Sequence, residues 1–314
     1  MNNISGTVTI APSPVLGHSE EYFGPYRDFW WNRDFLELMA RRWQLGRYQS
    51  LLDVGCGQCH WSRLLTPYLA TPANITAIDS EPKWAKGSEA LAKDFAKLDA
   101  TLELRQGDAH RLPFADASFD VVTCQTVLIH VSDPIAALRE MVRVVKPGGA
   151  VICVEPCNLA STTFVSAPTE DISIDERCDD YRYLLLCEKG KIAAGEGDSS
   201  LGSKLAHLFH LVGLDNVQSY LSDKAHPLLP PYEGEESSVC IAEIVDGLGD
   251  ERTKLADLQD DRWIAALKDT GAKDFVEQYR RHNAHYVKTL PAMIKSGTFW
   301  DSGAAVMYLV SATK

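Results

Sequence analysis

The sequence predicts an α/β fold built on a largely parallel sheet, and three observations support that prediction. Between residues 49 and 156, short aliphatic runs alternate with helical patterns, as in a parallel sheet that helices cover on both faces. The first run ends in Gly55 and Gly57, which shape a strand-to-helix turn where a ligand can approach the backbone. The 314 residues are 45% hydrophobic, which is enough to bury a large core.

Each element of this alternation has its own residue pattern. The aliphatic runs predict strands at 50–54, 75–79, 101–104, 119–124 and 150–154. The amphipathic stretches between them predict helices at 60–69, 83–98 and 134–145. Pro134 suits the first turn of the third helix. The Lys-Pro-Gly-Gly stretch at 146–149 ends that helix, because proline cannot continue it and glycine accepts a left-handed turn.

The flanking segments predict further units of structure. An aromatic cluster at 22–31 leads into a helical pattern at 35–43, which predicts an N-terminal helical cap. A helix at 203–211 and strands at 213–221 and 304–311 are expected to complete the sheet, separated by helical patterns at 235–248, 250–268 and 273–294, the last interrupted at Pro291. The predicted domains are the cap, 1–48; the core, 49–222; a helical insertion, 223–302; and the last core strand, 303–314.

Composition and charge narrow the classes of ligand and location. A formal net charge of −12 makes nucleic acid a poor partner. The first residues lack the basic and apolar regions of a signal peptide, and no apolar run approaches the ~20 residues of a membrane span, so we expect a cytoplasmic protein with no membrane partner. The eight cysteines are expected to be reduced thiols, and the C-x-x-C of Cys56 and Cys59 has no second ligand pair, so no metal is expected.

The residues around the two glycines indicate which ligand the loop binds. A dinucleotide-binding loop ends in a third glycine, and that position is His60 here. Asp53 places a carboxylate where a pyrophosphate would otherwise lie, which favours a cationic ligand. Asp79 ends the second strand, where an acid accepts hydrogen bonds from ribose hydroxyls; its alternative role is to cap the next helix. The loop therefore predicts a nucleoside that carries a positively charged amino acid end.

Across residues 49–156 the chain resembles the class I S-adenosylmethionine-dependent methyltransferases, and it is most similar to the branch that contains quinone-biosynthesis C-methyltransferases. The segments that carry the resemblance occur in this order: Asp53-Val54-Gly55-Cys56-Gly57, Asp79, Gly107-Asp108-Ala109, Leu112-Pro113-Phe114, Ser118-Phe119-Asp120 and Lys146-Pro147-Gly148-Gly149. The resemblance implies a Rossmann-like seven-stranded class I methyltransferase sheet and S-adenosyl-L-methionine as cofactor. Cys59 departs from the family, which usually has a third glycine at this position.

The resemblance also implies a set of cofactor-binding residues. In the family pattern, Gly55 and Gly57 line the methionine end, Asp79 holds the ribose, and Gln125 borders the methyl group. Asp108 and Ala109 meet the adenine edge. The full set implied for this sequence is Asp53, Gly55, Gly57, Asp79, Ser80, Asp108, Ala109, Gln125, Thr126, Tyr22, Arg27 and Trp31.

The last three residues of this set belong to the N-terminal segment, which in related methyltransferases commonly folds over the cofactor. The aromatic faces of Tyr22 and Trp31 are suited to contact a sulfonium cation, and Arg27 is suited to pair with the methionine carboxylate. The alternative is that these side chains only pack in the core.

Two further residues near the sheet have predicted roles. His130 follows the fourth strand and is expected near the carboxyl edge of the sheet, where open α/β sheets bind ligands, so it is the predicted catalytic base or substrate contact. The alternative is a structural histidine. Asp120 lies at the start of a buried strand and is expected to satisfy backbone groups there.

The predicted function is the transfer of a methyl group from S-adenosylmethionine to a small-molecule acceptor by in-line displacement, which gives S-adenosylhomocysteine. The reaction mainly needs an aligned acceptor and exclusion of water, and a base helps when the acceptor is an alcohol or phenol. A non-catalytic S-adenosylmethionine-binding regulator and an RNA or protein methyltransferase are the alternatives.

The helical insertion has three possible roles at the level of sequence. The favoured prediction is a substrate lid, and a plain extension of the scaffold is the alternative. If the insertion instead packs against a partner subunit, the chain forms a homodimer. Residues 157–200, which are polar and contain glycines, are expected to form the other wall of the acceptor site.

Overall fold

The structure is a computed structural model that describes residues 27, 29–248, 250–303 and 305–314. The strands, in chain order, are β1 (Ser50–Val54), β2 (Ala73–Asp79), β3 (Ala100–Gln106), β4 (Phe119–Gln125), β5 (Val145–Pro156), β6 (Asp215–Leu221) and β7 (Met307–Thr313). The helices are α1 (Arg33–Arg42), α2 (His60–Leu65), α3 (Glu89–Lys97), α4 (Pro134–Val144), α5 (Ile174–Ala193), α6 (Leu205–Leu211), α7 (Glu235–Gly247), α8 (Asp250–Ala266) and α9 (Thr270–Ser296).

The strands form one seven-stranded sheet in the order β3-β2-β1-β4-β5-β7-β6. Strands β1 to β5 are parallel to one another, and β7 runs antiparallel between β5 and β6. This confirms the predicted α/β fold and the seven-stranded sheet. The strand order reverses between β1 and β4, so their carboxyl ends open the crevice in which doubly wound sheets bind ligands.

Apolar side chains on both faces of the sheet bury it between helices. Leu51 and Ile75 belong to a buried cluster with residues of α1, whereas Leu52 and Ile78 belong to a second cluster with residues of α4. Successive side chains of a strand point to opposite faces, which explains why neighbours in β1 join different clusters. Each fully buried leucine contributes about 1.5 to 3 kcal/mol to folding, so both layers hold the sheet rigidly.

The helix expected at 83–98 is wrong in its extent. A 3-10 turn at Trp84–Lys86 ends at Gly87, whose φ of 59° is left-handed, and α3 begins only at Glu89. The hydroxyl of Ser88 accepts a hydrogen bond from the backbone N–H of Leu91 at 3.1 Å and caps α3. A glycine and a serine side by side therefore break one helical pattern into two elements.

The segment 157–200 contains a 20-residue helix, α5, for which no helix was predicted. Its N-terminus is marked by a capping box, in which Ser173 and Glu176 each accept a hydrogen bond from the backbone N–H of the other. The S-x-x-E spacing was present in the sequence as a start signal. The helix lacks a single apolar stripe, because Ile174 and Ile192 are exposed whereas the charged Lys191 is buried. The hydrophobic periodicity therefore does not indicate a helix here.

Helix α5 packs against the insertion. Cys187 of α5 shares a small core with Ile264 of α8 and with Ala272 and Val276 of α9. The α9 helix continues through Pro291, so the interruption predicted there is wrong. The insertion and part of 157–200 thus form one helical layer, which we call the helical layer below.

Candidate active site

The loop between β1 and α2 brings its backbone close to neighbouring elements. Gly55 has a φ of 68°, and a Cβ atom there would lie 2.5 Å from a methyl group of Val127, so only glycine fits. The backbone N–H groups of Gly55 and Cys56 both donate to the carbonyl oxygen of Ile78, at 2.7 and 3.0 Å. The loop is therefore locked against the end of β2.

Cys59, where the family usually has glycine, adopts a left-handed backbone with a φ of 58° and is fully buried. Its backbone N–H donates to the carbonyl oxygen of Cys56 at 2.7 Å, which closes the turn. The hydrogen bond with Cys59 and burial raise the pKa of the Cys56 thiol, so the Cys56 thiol stays protonated. The turn keeps the glycine conformation even though the residue is a cysteine, at the cost of about 1–2 kcal/mol of steric strain.

Asp79 links this loop to the end of β2. Its Oδ2 accepts a hydrogen bond from the backbone N–H of Gly57 at 2.9 Å, and its Oδ1 accepts one from the N–H of Glu81, also at 2.9 Å. A carboxylate has about four lone-pair sites, so these two bonds leave acceptor capacity for a ligand. The alternative role of Asp79 as a helix cap is wrong, because Lys83 and Ser88 are the N-cap residues of the next two helical elements. Asp79 instead holds the glycine loop and faces the adjacent cavity.

A cavity of about 410 Å³ lies at this edge of the sheet. Many residues of the predicted set line it, namely Arg27, Gly55, Gly57, Asp79, Ser80, Asp108, Ala109, Gln125, Thr126 and His130. Further lining residues were not predicted: Val54, Ile78, Glu81, Trp84, Gly107, His110, Val127, Val131, Ser132 and Gly195. Half of them, namely Val54, Ile78, Glu81, Gly107 and Val127, lie within two residues of the carboxyl end of a strand, which is the signal that could have identified them.

Three residues of the predicted set are not found in the cavity lining. Asp53 is only 1% exposed. It accepts a hydrogen bond from the backbone N–H of Ser62 at 3.2 Å and thereby stabilises the first turn of α2. Trp31 is buried against Trp61, with ring centroids 5.5 Å apart. Tyr22 lies outside the described residues. The contact of each with the cofactor stays a prediction.

Gln125, at the end of β4, has a buried amide with no hydrogen-bond partner. Its side chain is 5% exposed and lines the cavity, yet neither Oε1 nor Nε2 is paired within the described part of the chain. Leaving such a group unpaired costs about 1–3 kcal/mol, so the amide is suited to pair with a ligand. Thr126 follows with a left-handed φ of 54°, which turns the chain away from the sheet beside the amide.

The charges around the cavity match a nucleoside with an amino acid end. Asp79 ends β2, Glu81 lies two residues beyond it, and Asp108 lies two residues beyond β3, where these side chains can accept hydrogen bonds from hydroxyl and amine groups. The backbone N–H of His110 lowers the pKa of Asp108, which keeps that side chain ionised. The guanidinium of Arg27 is buried in the lining, where it suits a carboxylate. With the glycine loop and the unpaired Gln125 amide, these residues fit S-adenosylmethionine.

Glu155 holds the chain that follows β4. Its carboxylate is fully buried and accepts hydrogen bonds from the backbone N–H groups of Val127, Leu128 and Ile129, at 3.0, 2.9 and 3.4 Å. Burial raises the pKa of Glu155 to about 7, against the opposing effect of these hydrogen bonds. The sequence signal for this role is an acid within an otherwise apolar strand.

In the part of the chain that the structure describes, no helix is both long and apolar enough to cross a membrane. Within the same residues, no group of three or more histidine, cysteine, aspartate or glutamate side chains is arranged to hold a metal ion.

Comparison with known proteins identifies relatives of this chain. Residues 52–153 match the family described as a methyltransferase domain. The chain is 37% identical over 198 residues to a demethylmenaquinone methyltransferase from Halalkalibacterium halodurans, which covers 60% of this chain and 75% of that protein. It is 37% identical over 125 residues to the enzyme of the same name from Listeria welshimeri, of which it spans half the length, covering 40% of this chain.

Among solved structures, the YcgJ protein from Bacillus subtilis aligns with 90% of this chain and 100% of its own, at 18% identity and a TM-score of 0.48. The family assignment rests on the sequence relatives, because one of them is more than a third identical over three quarters of its length. The chain therefore belongs to the class I S-adenosylmethionine-dependent methyltransferases.

Proposed function

We propose that this enzyme transfers the methyl group of S-adenosylmethionine to a small-molecule acceptor by in-line displacement, leaving S-adenosylhomocysteine. The observation that carries the proposal is the unpaired, buried amide of Gln125, which shares a cavity with His130 at the carboxyl edge of the sheet. Bound S-adenosylmethionine supplies a methyl carbon made electrophilic by the adjoining sulfonium. The protein has to align an acceptor with that carbon and exclude water.

The residues of this chain divide that work between them. The glycine loop and Asp79 hold the nucleoside, and the Arg27 guanidinium neutralises the methionine carboxylate. The Gln125 amide orients the reacting end by hydrogen bonding. His130 accepts the proton of an acceptor hydroxyl as its oxygen or ring carbon becomes nucleophilic, a role worth about 10²–10⁴-fold in rate.

The acceptor class we infer is aromatic with apolar substituents. The relatives are named demethylmenaquinone methyltransferases, which supports such an acceptor here. A second cavity of about 530 Å³ also supports it, because it opens next to the 3-10 helix Asn158–Thr163 that follows β5, at the same sheet edge. Its larger apolar and aromatic lining residues come from segment 157–200 and from the insertion: Phe164, Ile172, Leu184, Leu248, Tyr279 and Leu290.

The charges of the molecule disfavour the RNA or protein alternative. Three carboxylates line the cofactor cavity, against one arginine and no lysine within the described residues. A net charge of −12 adds a general repulsion of phosphate backbones. The enclosed glycine loop and unpaired amide also suit catalysis on a bound donor, although a regulator would share the same cofactor site.

The test is methyl transfer from S-adenosylmethionine that carries an isotopic label in its methyl group. We expect label in the organic extract when the acceptor is a reduced naphthoquinone with a free ring position, and none in transfer RNA or in a mixed protein substrate. Label in RNA or protein would contradict the proposal, and cofactor binding without transfer to any acceptor would favour the regulator.

The same assay tests His130. We expect His130→Gln to lower kcat by about 10²–10⁴-fold if the histidine is the base. His207→Gln is the matched control, because His207 is an exposed histidine on α6 away from the cavity lining. A kcat unchanged by His130→Gln would leave His130 in its structural role.

A further inference from the structure

Lys191 lies in the last turn of α5, and its ammonium is buried beside residues 126–130. We call residues 126–130 the active-site loop. The side chain is 5% exposed. Its Nζ donates hydrogen bonds to the carbonyl oxygen of Ile129 at 3.0 Å and to the hydroxyl of Ser199 at 2.8 Å. Ile129 directly precedes His130. A cation from the helical layer is thus bonded to the backbone beside the predicted base.

The backbone around Lys191 is fitted closely between two parts of the molecule. A Cβ atom at Gly190 would lie 2.3 Å from the carbonyl oxygen of Trp263 on α8. A Cβ atom at Gly197 would lie 2.2 Å from the carbonyl oxygen of Ile129. Side chains fit at neither position, so segment 190–197 touches α8 on one side and the active-site loop on the other.

Glu196 fastens this segment to α8. Its Oε2 accepts hydrogen bonds from the indole N–H of Trp263 at 2.8 Å and from the guanidinium of Arg262 at 2.6 Å. The Lys191 ammonium also lies 5.8 Å from the centroid of the Trp263 ring. Between these anchors, Gly195 lines the cofactor cavity. The segment therefore joins the insertion to the cavity through contacts on both sides.

The loop that Lys191 contacts is held from the opposite side by Glu155. The carboxylate accepts from three backbone N–H groups of the loop, and Lys191 donates to one of its carbonyl groups. Burying an ammonium is costly, and burial lowers the pKa of Lys191 although the nearby carboxylates, Glu188 and Asp198 foremost, oppose that effect. These carboxylates and the two hydrogen bonds that the ammonium donates offset that cost, and one of the two bonds holds the Ile129 carbonyl of the loop.

We propose that Lys191 is a positioning residue for methyl transfer, which fixes residues 126–130 through the Ile129 carbonyl and makes the geometry of His130 depend on the docking of α8. The proposal rests on the proposed function for its catalytic readout. The role goes beyond that of a lid, because the insertion then acts on the active-site loop through one hydrogen bond as well as by covering the site.

The experiment compares Lys191→Met with Lys204→Met. Methionine keeps an unbranched side chain, one atom shorter than that of lysine, that cannot donate a hydrogen bond. Lys204 is the matched control because it is a lysine close to Lys191 in the chain whose ammonium pairs with the carboxylate of Asp198. We expect amide hydrogen exchange of residues 127–131 to quicken about ten-fold or more in Lys191→Met. We expect kcat to fall by about 10–100-fold, with the KM for S-adenosylmethionine nearly unchanged, since a small misplacement of a catalytic group has effects of that size. Lys204→Met should change neither.

A second variant keeps the test decisive if Lys191→Met does not fold. Glu196→Gln leaves Lys191 in place and weakens the bond to α8, so the same exchange and kcat effects should appear in smaller measure. Unchanged loop exchange in Lys191→Met, or in Glu196→Gln where the first variant is unfolded, would overturn the proposal. Exchange needs no acceptor, so this outcome is distinct from failure of the proposed function, which the absence of methyl transfer by the unaltered protein would reveal.

Discussion

At the scale of single residues, two carboxylates with opposite pKa shifts hold the sheet and its active-site edge. Asp120 accepts hydrogen bonds from the backbone N–H groups of Gln49 and Ser50, at 3.0 and 2.9 Å, and from Lys146 at 2.8 Å. Burial opposes these bonds, but together they lower the pKa of Asp120 to about 2. The structure confirms the structural role expected for Asp120. The pKa of Glu155 is raised instead, because burial has the larger effect on that carboxyl group.

The raised pKa of Glu155 makes a stability prediction. The unfolded carboxyl group titrates near 4.5 and the folded one near 7, so the native state keeps a proton that the unfolded state has lost between these pH values. The free energy of unfolding of the wild type therefore falls as pH rises through this window, by up to about 3 kcal/mol. Glu155→Gln cannot titrate, and we expect its stability relative to the wild type to increase from pH 5 to pH 8 in urea unfolding.

Glu140→Gln is the control for this measurement, because the pKa of Glu140 is lowered in the folded protein whereas that of Glu155 is raised. The Arg143 side chain lowers the pKa of Glu140, despite partial burial. The advantage of the wild type over Glu140→Gln should therefore be present above pH 4.5 and be lost as pH falls through the folded pKa. A Glu155→Gln difference that did not change with pH would show that Glu155 titrates normally in the folded protein.

Asp79 is the second residue whose replacement has a defined outcome. Asp79→Asn keeps one oxygen acceptor for the glycine loop but removes the charge that we expect to bind the ribose hydroxyls. The loss should weaken S-adenosylmethionine binding by about 1–3 kcal/mol, or about 5–150-fold in the dissociation constant measured by calorimetry. Glu103→Gln, on the exposed edge strand β3, should bind normally. Equal affinity in both variants would remove Asp79 from the cofactor site.

At the scale of elements, the β1–α2 loop shows how a turn is specified by space as well as by backbone angle. Gly55 and Gly148 both have positive φ, at 68° and 76°. At Gly55 an added Cβ would meet Val127, whereas at Gly148 no atom lies within 4 Å of it. A side chain added at Gly148 would therefore cost only the strain of a left-handed backbone, whereas one added at Gly55 would also clash with Val127.

The comparison gives a prediction for two alanine variants. We expect Gly148→Ala to lower the free energy of unfolding by about 1–2 kcal/mol, which is the cost of a left-handed non-glycine residue. Gly55→Ala should cost a further 1–3 kcal/mol or so, because Val127 must move, and it should also abolish cofactor binding. Thermal unfolding and calorimetry would measure both effects. Equal destabilisation of the two variants would mean that the loop yields to the clash without cost.

The elements also mark where local patterns were enough and where they were not. The strands at 50–54 and 119–124 were predicted to within a residue, because an apolar run bounded by polar residues is a local signal. The long α5 is not indicated by its pattern, since apolar Ile174 and Ile192 are exposed while charged Glu188 and Lys191 are buried, and the apolar residues mark no single face. Its capping box was the only local sign, and it was overlooked.

At the scale of the whole molecule, the helical layer and the sheet meet at the active-site loop. The insertion packs against α5, and α5 reaches the loop through Lys191, so the helical layer that lines the second cavity also contacts the chain that carries His130. The predicted boundary at 222 divides two segments whose helices share a core, and the domain division stays a prediction. A lid role and a homodimer are likewise predictions that the single chain leaves open to measurement.

The sequence by itself determined the sheet, the glycine loop and the residues at strand ends. These follow from period, turn chemistry and order along the chain, which are local properties. The tertiary structure decided the roles of Glu155 and Lys191, because each acts on backbone groups of residues about 26 to 62 positions away. Neither role is visible locally, because Glu155 is an acid in an apolar strand and Lys191 a lysine in a polar helix. Only the folded chain buries both side chains against the active-site loop, where each makes hydrogen bonds to its backbone.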